Sequence, residues 1–235
     1  MAFPTVVSAL TTNGTTAGTT AAVTVPADGT YAAGDLLIIL HRCAVAGAIA
    51  QGPETVEMFD ASADAADDQM ALYYRWCDGA EAFGGAMSLS QGSGKYASLV
   101  YLIRGADPLI NPQLSTVATG TGTAPDPTTC TPTGGAKDYL WLWLGGWENE
   151  QTSPPTGTPT NFTNAIGADS GIAGAVTTNC RVASARRELN AASLDAGSWT
   201  ISVSDDWTAY LMAVHPLSAV PRVPRFTPYP QLLAH

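Results

Sequence analysis

The side chains able to catalyse or to ligate are few in this chain and far apart. The three histidines, His41, His215 and His235, have no Cys or His neighbour at ligand spacing. We expect His41 and His215 at strand ends, as structural residues. The four cysteines, Cys43, Cys77, Cys130 and Cys180, form no C-x-x-C pair. Carboxylates are doubled at Asp67-Asp68 and Asp205-Asp206. A glycosidase needs two carboxylates facing one cleft, but adjacent residues on a strand point to opposite faces. Such doublets suit turns, and Asp205-Asp206 falls where a hairpin turn is expected. Asp60, Asp64, Asp67 and Asp68 are close enough for a calcium loop, without the glycine that an EF-hand requires. Gly92-Ser93-Gly94-Lys95 echoes a phosphate loop but leads into a strand, so a hairpin turn is expected there. No Gly-x-Ser-x-Gly and no dinucleotide fingerprint occurs. These residues point to a protein without catalysis, cofactor or resident metal, with calcium near Asp60–Asp68 as the open alternative.

Binding chemistry is better supplied. Trp141 and Trp143 share one face of a strand, and Trp147 follows two glycines. Large aromatics are mostly core residues. Trp147, beside Glu148 and Asn149, is the candidate for an exposed sugar platform. The tail from Pro221 to Pro230 has spaced prolines, which exclude helix and central strand and favour an extended form. It carries Arg222, Arg225, Phe226 and Tyr229, followed by Leu232 and Leu233. An extended arm loses little entropy on docking, so residues 218–235 are expected to bind a neighbouring subunit or another partner.

The elements that must hold these residues are strands. Leu36-Leu37-Ile38-Ile39-Leu40 is short, β-branched and apolar throughout, as in a strand buried on both faces. Similar runs occur at Met70–Trp76, Tyr96–Ile103, Tyr139–Leu144 and Trp207–Val214, and Trp199–Ser204 alternates strictly. The Thr/Gly/Ala segment Thr11–Thr20 reads as a loop or loose edge strand, Asp60–Asp68 mainly as a loop, and 111–135 as a crossing loop. The grammar restarts midway. Asp35 and Asp138 each launch an apolar strand, Arg75 and Arg187 each precede a Glu, and Tyr96 and Trp207 each open a long final strand. We expect an all-β, antiparallel two-sheet sandwich, jelly-roll-like, over residues 1–217, with similar halves at about 20–107 and 120–217. One half alone would leave its apolar face uncovered.

Composition agrees with this. The chain has 235 residues, 46% hydrophobic but only 13% charged, and a formal net charge of −10. Thr, Ser, Asn and Gly must therefore supply the polar surface. Phosphate neutralisation needs clustered cations, so no nucleic-acid partner is expected. No apolar run is long enough to span a membrane. Met1-Ala2-Phe3-Pro4 has no basic, then apolar, leader pattern, so we expect reduced cysteines in a cytoplasm.

The series Val23-Thr24-Val25-Pro26, Gly34-Asp35-Leu36-Leu37-Ile38, Tyr73-Tyr74-Arg75 with Glu81, and Tyr101-Leu102-Ile103-Arg104-Gly105-Ala106-Asp107 resembles a β-sandwich type common in tailed-bacteriophage virion proteins. The ending Trp207-Thr208-Ala209-Tyr210 to Val214-His215-Pro216 is similar to that type's usual close. The resemblance covers about residues 20–217. It implies a non-enzymatic structural subunit of the virion, assembled in the host cytoplasm. A capsid decoration or head-fibre protein is the first expectation, and a tail-tip or tail-fibre module binding a host glycan the alternative. The implied partners are major capsid or tail proteins and further copies of the chain, a trimer by analogy.

Overall fold

The computed structural model describes residues 2–45, 56–64, 68–148, 158–171 and 179–218, with backbone alone for 56–64 and Asp68. The described residues form an all-β sandwich with two antiparallel sheets and no helix. The first sheet holds β1 (Thr5–Thr24), β2 (Leu36–Cys43), β3 (Val56–Asp64), β4 (Asp68–Trp76) and β5 (Ala86–Arg104), in the order β1-β5-β2-β4-β3. The second holds β6 (Gln113–Leu114), β7 (Ala118–Gly122), β8 (Lys137–Glu148), β9 (Thr163–Asp169), β10 (Cys180–Ala191) and β11 (Asp205–Val214). Its order is β6-β11-β8-β10-β9, with β7 also on β11. Taking β6 and β7 together as the counterpart of β1, the two sheets share one strand order.

The ladders show how close this correspondence is. Cys43 lies opposite Tyr96 and Gln69, and Trp147 lies opposite Trp207 and Arg181. Leu37 faces Arg75, and Trp141 faces Arg187. This register puts Tyr139, not Asp138, in the place of Asp35. The chain leaves both halves side by side, since Ala106 bridges Pro216, Asp107 N–H donates to His215 O (3.0 Å) and Leu217 N–H to Gly105 O (2.8 Å).

Both faces of each sheet are buried, which explains the continuous apolar runs. Between the sheets lie Leu36, Ile38, Leu40, Leu99, Tyr101 and Ile103 against Leu140, Leu142, Leu144, Val182, Tyr210 and Met212. On the first sheet's outer face, the end of β1 and the start of β5 form a ribbon, Thr20↔Ser90 to Thr24↔Ala86. That ribbon places Ala21, Val23, Met87 and Leu89 on Leu37, Ile39, Tyr73 and Leu102. The second sheet's outer face is covered by the segments around Pro125–Cys130 and Leu194–Ile201. They are tied to each other by Trp199 N–H to Pro125 O (2.8 Å) and Cys130 N–H to Leu194 O (3.0 Å). They bury Cys130, Leu194, Trp199 and Ile201 on Trp141, Trp143, Ala183 and Leu211.

Four local expectations are corrected. Gly92-Ser93-Gly94 is no turn, because β5 runs through it, paired to Gly18 of β1 at Gly94. Asp205 and Asp206 do not make a hairpin turn but open β11, opposite Gly122 and Thr121. Trp199–Ser204 is irregular, its alternation reflecting Trp199 and Ile201 dipping into the outer core. Most of the Asp60–Asp68 loop is strand: β3 runs to Asp64, and Asp68 opens β4.

Candidate functional site

Of the residues singled out for binding, Trp147 alone lies among the described residues. Trp147 is 0% exposed and belongs to the outer core of the second sheet. The expectation of an exposed sugar platform there is therefore corrected. Odd-numbered residues of β8 face the layer formed by the two covering segments, so a ring at 147 is shielded like those at 141 and 143. Arg222, Arg225, Phe226, Tyr229, Leu232 and Leu233 lie outside the described residues, as does Asp67 of the proposed calcium loop, and the side chains of Asp60, Asp64 and Asp68 are likewise not described. Among the described residues no group of three or more His, Cys, Asp or Glu could hold a metal ion. All four cysteines are buried and none is in a disulfide.

His41 is a structural residue of the first sheet's outer layer. Its Nδ1 is 2.8 Å from Ser98 Oγ and its Nε2 3.0 Å from Gln91 Oε1. Gln91 Nε2 donates to the carbonyls of Gly18 and Gly94, both at 2.9 Å. The amide thus leaves its oxygen for a proton on His41 Nε2, which fixes a neutral tautomer. Burial lowers the imidazole to about 4, against a smaller opposing effect of Gln91. His215 is 1% exposed, 3.1 Å from Gln113 Oε1 and edge-on to the Tyr139 ring.

An open concave surface lies where β1 and β9 begin. It is a groove of about 410 Å³ lined by Thr5, Val6, Asn161, Thr163, Asn164, Arg186, Arg187 and Glu188. Two local structures build its rim. Phe162 N–H donates to Pro159 O (3.0 Å), closing a turn with Asn161 at φ 65°. Asparagine tolerates this left-handed position. Phe162 anchors the turn in the outer core and leaves Asn161 exposed. Two residues later a bulge interrupts β9: Arg186 pairs with Thr163 but Ser184 with Ile166, so Asn164 and Ala165 oppose Ala185 alone. Asn164 takes up the extra residue at φ 51°. Bulges of this kind re-aim side chains, often beside functional sites.

Arg186, opposite Leu142, and Arg187, opposite Trp141, leave opposite faces of β10. Among the described residues, neither the Arg186 nor the Arg187 guanidinium has a hydrogen-bond or ion-pair partner, and both are half-buried. The corresponding position of the first half differs. There Arg75 lies 3.7 Å from Glu81 and over the Phe83 ring, so its charge is committed. A smaller pocket further along β9 also contrasts, since its cation, Arg181, is paired with Asp169 at 3.0 Å. Sequence inspection noted Arg187 only as a repeat marker. The signals it passed over are local: adjacent arginines followed by Glu188, and Pro159-Thr160-Asn161 as a turn.

The side of the sandwich next to this groove has a second notable property. β1 spans 20 residues, and the first charged side chain of the chain is Asp28. Among the described residues β1 pairs only with β5, and β9 only with β10, so both strands are edges. They lie on the same side: Thr5 and Thr163 line one groove, and Thr15 packs against Gly171, just beyond β9.

Comparison of the chain with family models, with curated proteins and with solved structures gives no match.

Proposed function

We propose that the chain is a non-enzymatic structural subunit of a tailed-phage particle, a capsid decoration or head-fibre protein that acts through association with copies of itself and with neighbouring virion proteins. One observation carries the self-association: the long, uncharged edge of β1. Free edges recruit further strands, and monomeric proteins blunt them with lysine, proline or tight bulges. Between Ser8 and Gly14, β1 runs in unbroken register beside β5 with no such device, over roughly 23 Å. A second copy fits this edge because a two-fold axis lays the same patch against itself, and an edge free of charge can do so without repulsion. The net charge of −10 is carried elsewhere on the molecule.

The arm of residues 218–235 supplies the proposed attachment to a different virion protein. The alternative of a glycan-binding tail module cannot rest on Trp147, whose ring is buried. Light scattering of the purified chain and its co-sedimentation with phage particles test the proposal. An oligomer that joins the particle, and detaches when 219–235 are deleted, is the expected result. A monomer that never enters the particle would overturn it.

A further inference from the structure

We propose that the turn Asp107–Ile110, beside the root of the C-terminal arm, anchors a different protein, one that offers an apolar pocket to Leu109 and carboxylates to Arg222 and Arg225. This rests on the reading of the arm as an attachment segment.

Exposure picks out this pole of the molecule. Among the described residues, the two most exposed large apolar side chains are Leu109, at 92%, and Leu217, at 54%. They are remote in sequence, yet one carboxylate ties their segments together. Asp107 Oδ1 accepts from Leu109 N–H (3.0 Å), and Asp107 Oδ2 accepts from the hydroxyl of Ser218 (2.7 Å), the residue after Leu217. Leu217 N–H in turn donates to Gly105 O (2.8 Å). A single leucine at a surface needs no explanation. Here exposed Pro108 and half-buried Ile110 flank it, and Leu217 adds apolar area at the arm's root.

The turn is also held in shape. Ile110 N–H donates to Asp107 O (3.1 Å), and Pro108 sets φ at the position after Asp107. On its far side, Asn111 Oδ1 accepts from Trp76 Nε1 (3.4 Å). A side chain presented on so constrained a turn loses little entropy on docking. A few such anchors carry most of the energy of an interface.

Charge names the chemistry of the partner. Residues 219–235 hold Arg222 and Arg225 and no Asp or Glu, in a chain of net charge −10. Complementary charge steers and registers an interface, so the surface that receives the arm is acidic. Another copy of this chain fits poorly. Both cavities described above have arginine in their walls, which opposes the arm's own arginines.

The test is co-sedimentation of the full chain with phage particles produced without it. Leu109→Ser should weaken binding at least tenfold and Leu217→Ser several-fold, whereas Leu109→Met keeps an apolar anchor and should change it less than twofold. Arg222→Gln with Arg225→Gln should weaken binding and flatten its salt dependence. Val203, 46% exposed, precedes β11, whereas Leu217 follows it, so Val203→Ser is the control and should bind as the unsubstituted chain does. Melting temperature and the mass seen by light scattering should stay the same in every variant. A benzophenone amino acid in place of Leu109 should cross-link, on irradiation, to an acidic surface of a virion protein other than this chain. If the unsubstituted chain binds no particle, the reading of the arm falls and this surface with it. If it binds and Leu109→Ser binds equally, this surface alone falls. A cross-link to a second copy, a lower mass for Leu109→Ser, or Leu109-dependent sedimentation with phosphatidylglycerol vesicles would also overturn the proposal.

Discussion

Arg42 lies directly across from Gly146, the residue that occupies its own position in the other half of the molecule. Arg42 pairs with Met70 and Ala97 in one sheet, and Gly146 pairs with Val182 and Thr208 in the other. A Cβ on Gly146 would stand 2.8 Å from Arg42 Cδ and 2.8 Å from the Arg181 carbonyl. Duplicated sheets would bring two identical side chains together here. A large residue against none at all resolves the clash and lets the halves close. Gly146→Ala should therefore destabilise the fold by about 2–3 kcal/mol through overpacking, read as a lower urea midpoint with little change in slope. An unchanged midpoint would show that the sheets can part at that point.

A second pairing recurs in both halves. Gly14 lies opposite Tyr96, and Gly120 opposite Trp207, with the ring in each case covering the glycine. A Cβ at Gly14 would overlap the Tyr96 ring, and one at Gly120 would stand 2.7 Å from the Trp207 ring. Aromatic cover of an edge glycine pins strand register. Gly14→Ala and Gly120→Ala should each cost about 1–3 kcal/mol. Tyr96→Phe removes a hydroxyl that donates to Ala22 O and accepts from Ala22 N–H, both at 3.1 Å. It should cost about 1 kcal/mol, measurable by chemical denaturation.

The pH dependence of stability contains two opposed contributions. Asp205 is raised to about 7, chiefly by burial and further by Glu148, against the Asp206 N–H and Arg42. The unfolded chain gives up this proton near 3.8, while the folded chain keeps it to about 7. Stability from this group therefore falls as pH rises across that window and stays low above it. His41 works the other way. Its folded value of about 4 lies below the ordinary 6.5, so stability rises with pH between them and is lost as pH falls. The two largely cancel between pH 4 and 6.5. Asp205→Asn removes one of them. It should leave a clear rise in melting temperature from pH 4 to 6.5 and stabilise the protein by on the order of 2–4 kcal/mol at pH 8. Equal pH profiles for both proteins would refute the assignment.

Self-association through β1 should be blocked by one charge. Ala9 and Thr11 are exposed, and both lie in the stretch of unbroken register. Lysine at such a place is a natural guard of sheet edges. Ala9→Lys and Thr11→Lys should lower the mass seen by light scattering to that of a monomer, with melting of the monomer unchanged.

What the amino-acid sequence determined by itself was the class of fold. Runs such as Leu36–Leu40 and Tyr139–Leu144 are too short for helices and too apolar for half-exposed strands, so they demanded sheets covered on both faces. Tyr96 and Trp207 were also visible as matching positions, although neither opens its strand: β5 begins at Ala86 and β11 at Asp205. Only the tertiary structure decided which faces meet. Period-two patterning places Trp147 with Trp141 and Trp143 but cannot say that a segment 50 residues later covers all three. Nor can it tell the alternation at Trp199–Ser204, which is irregular chain dipping into a core, from a strand. The groove was hidden for the same reason. Thr5, Asn161 and Arg187 are remote in sequence and become neighbours only because two edge strands from different sheets lie on one side of the sandwich.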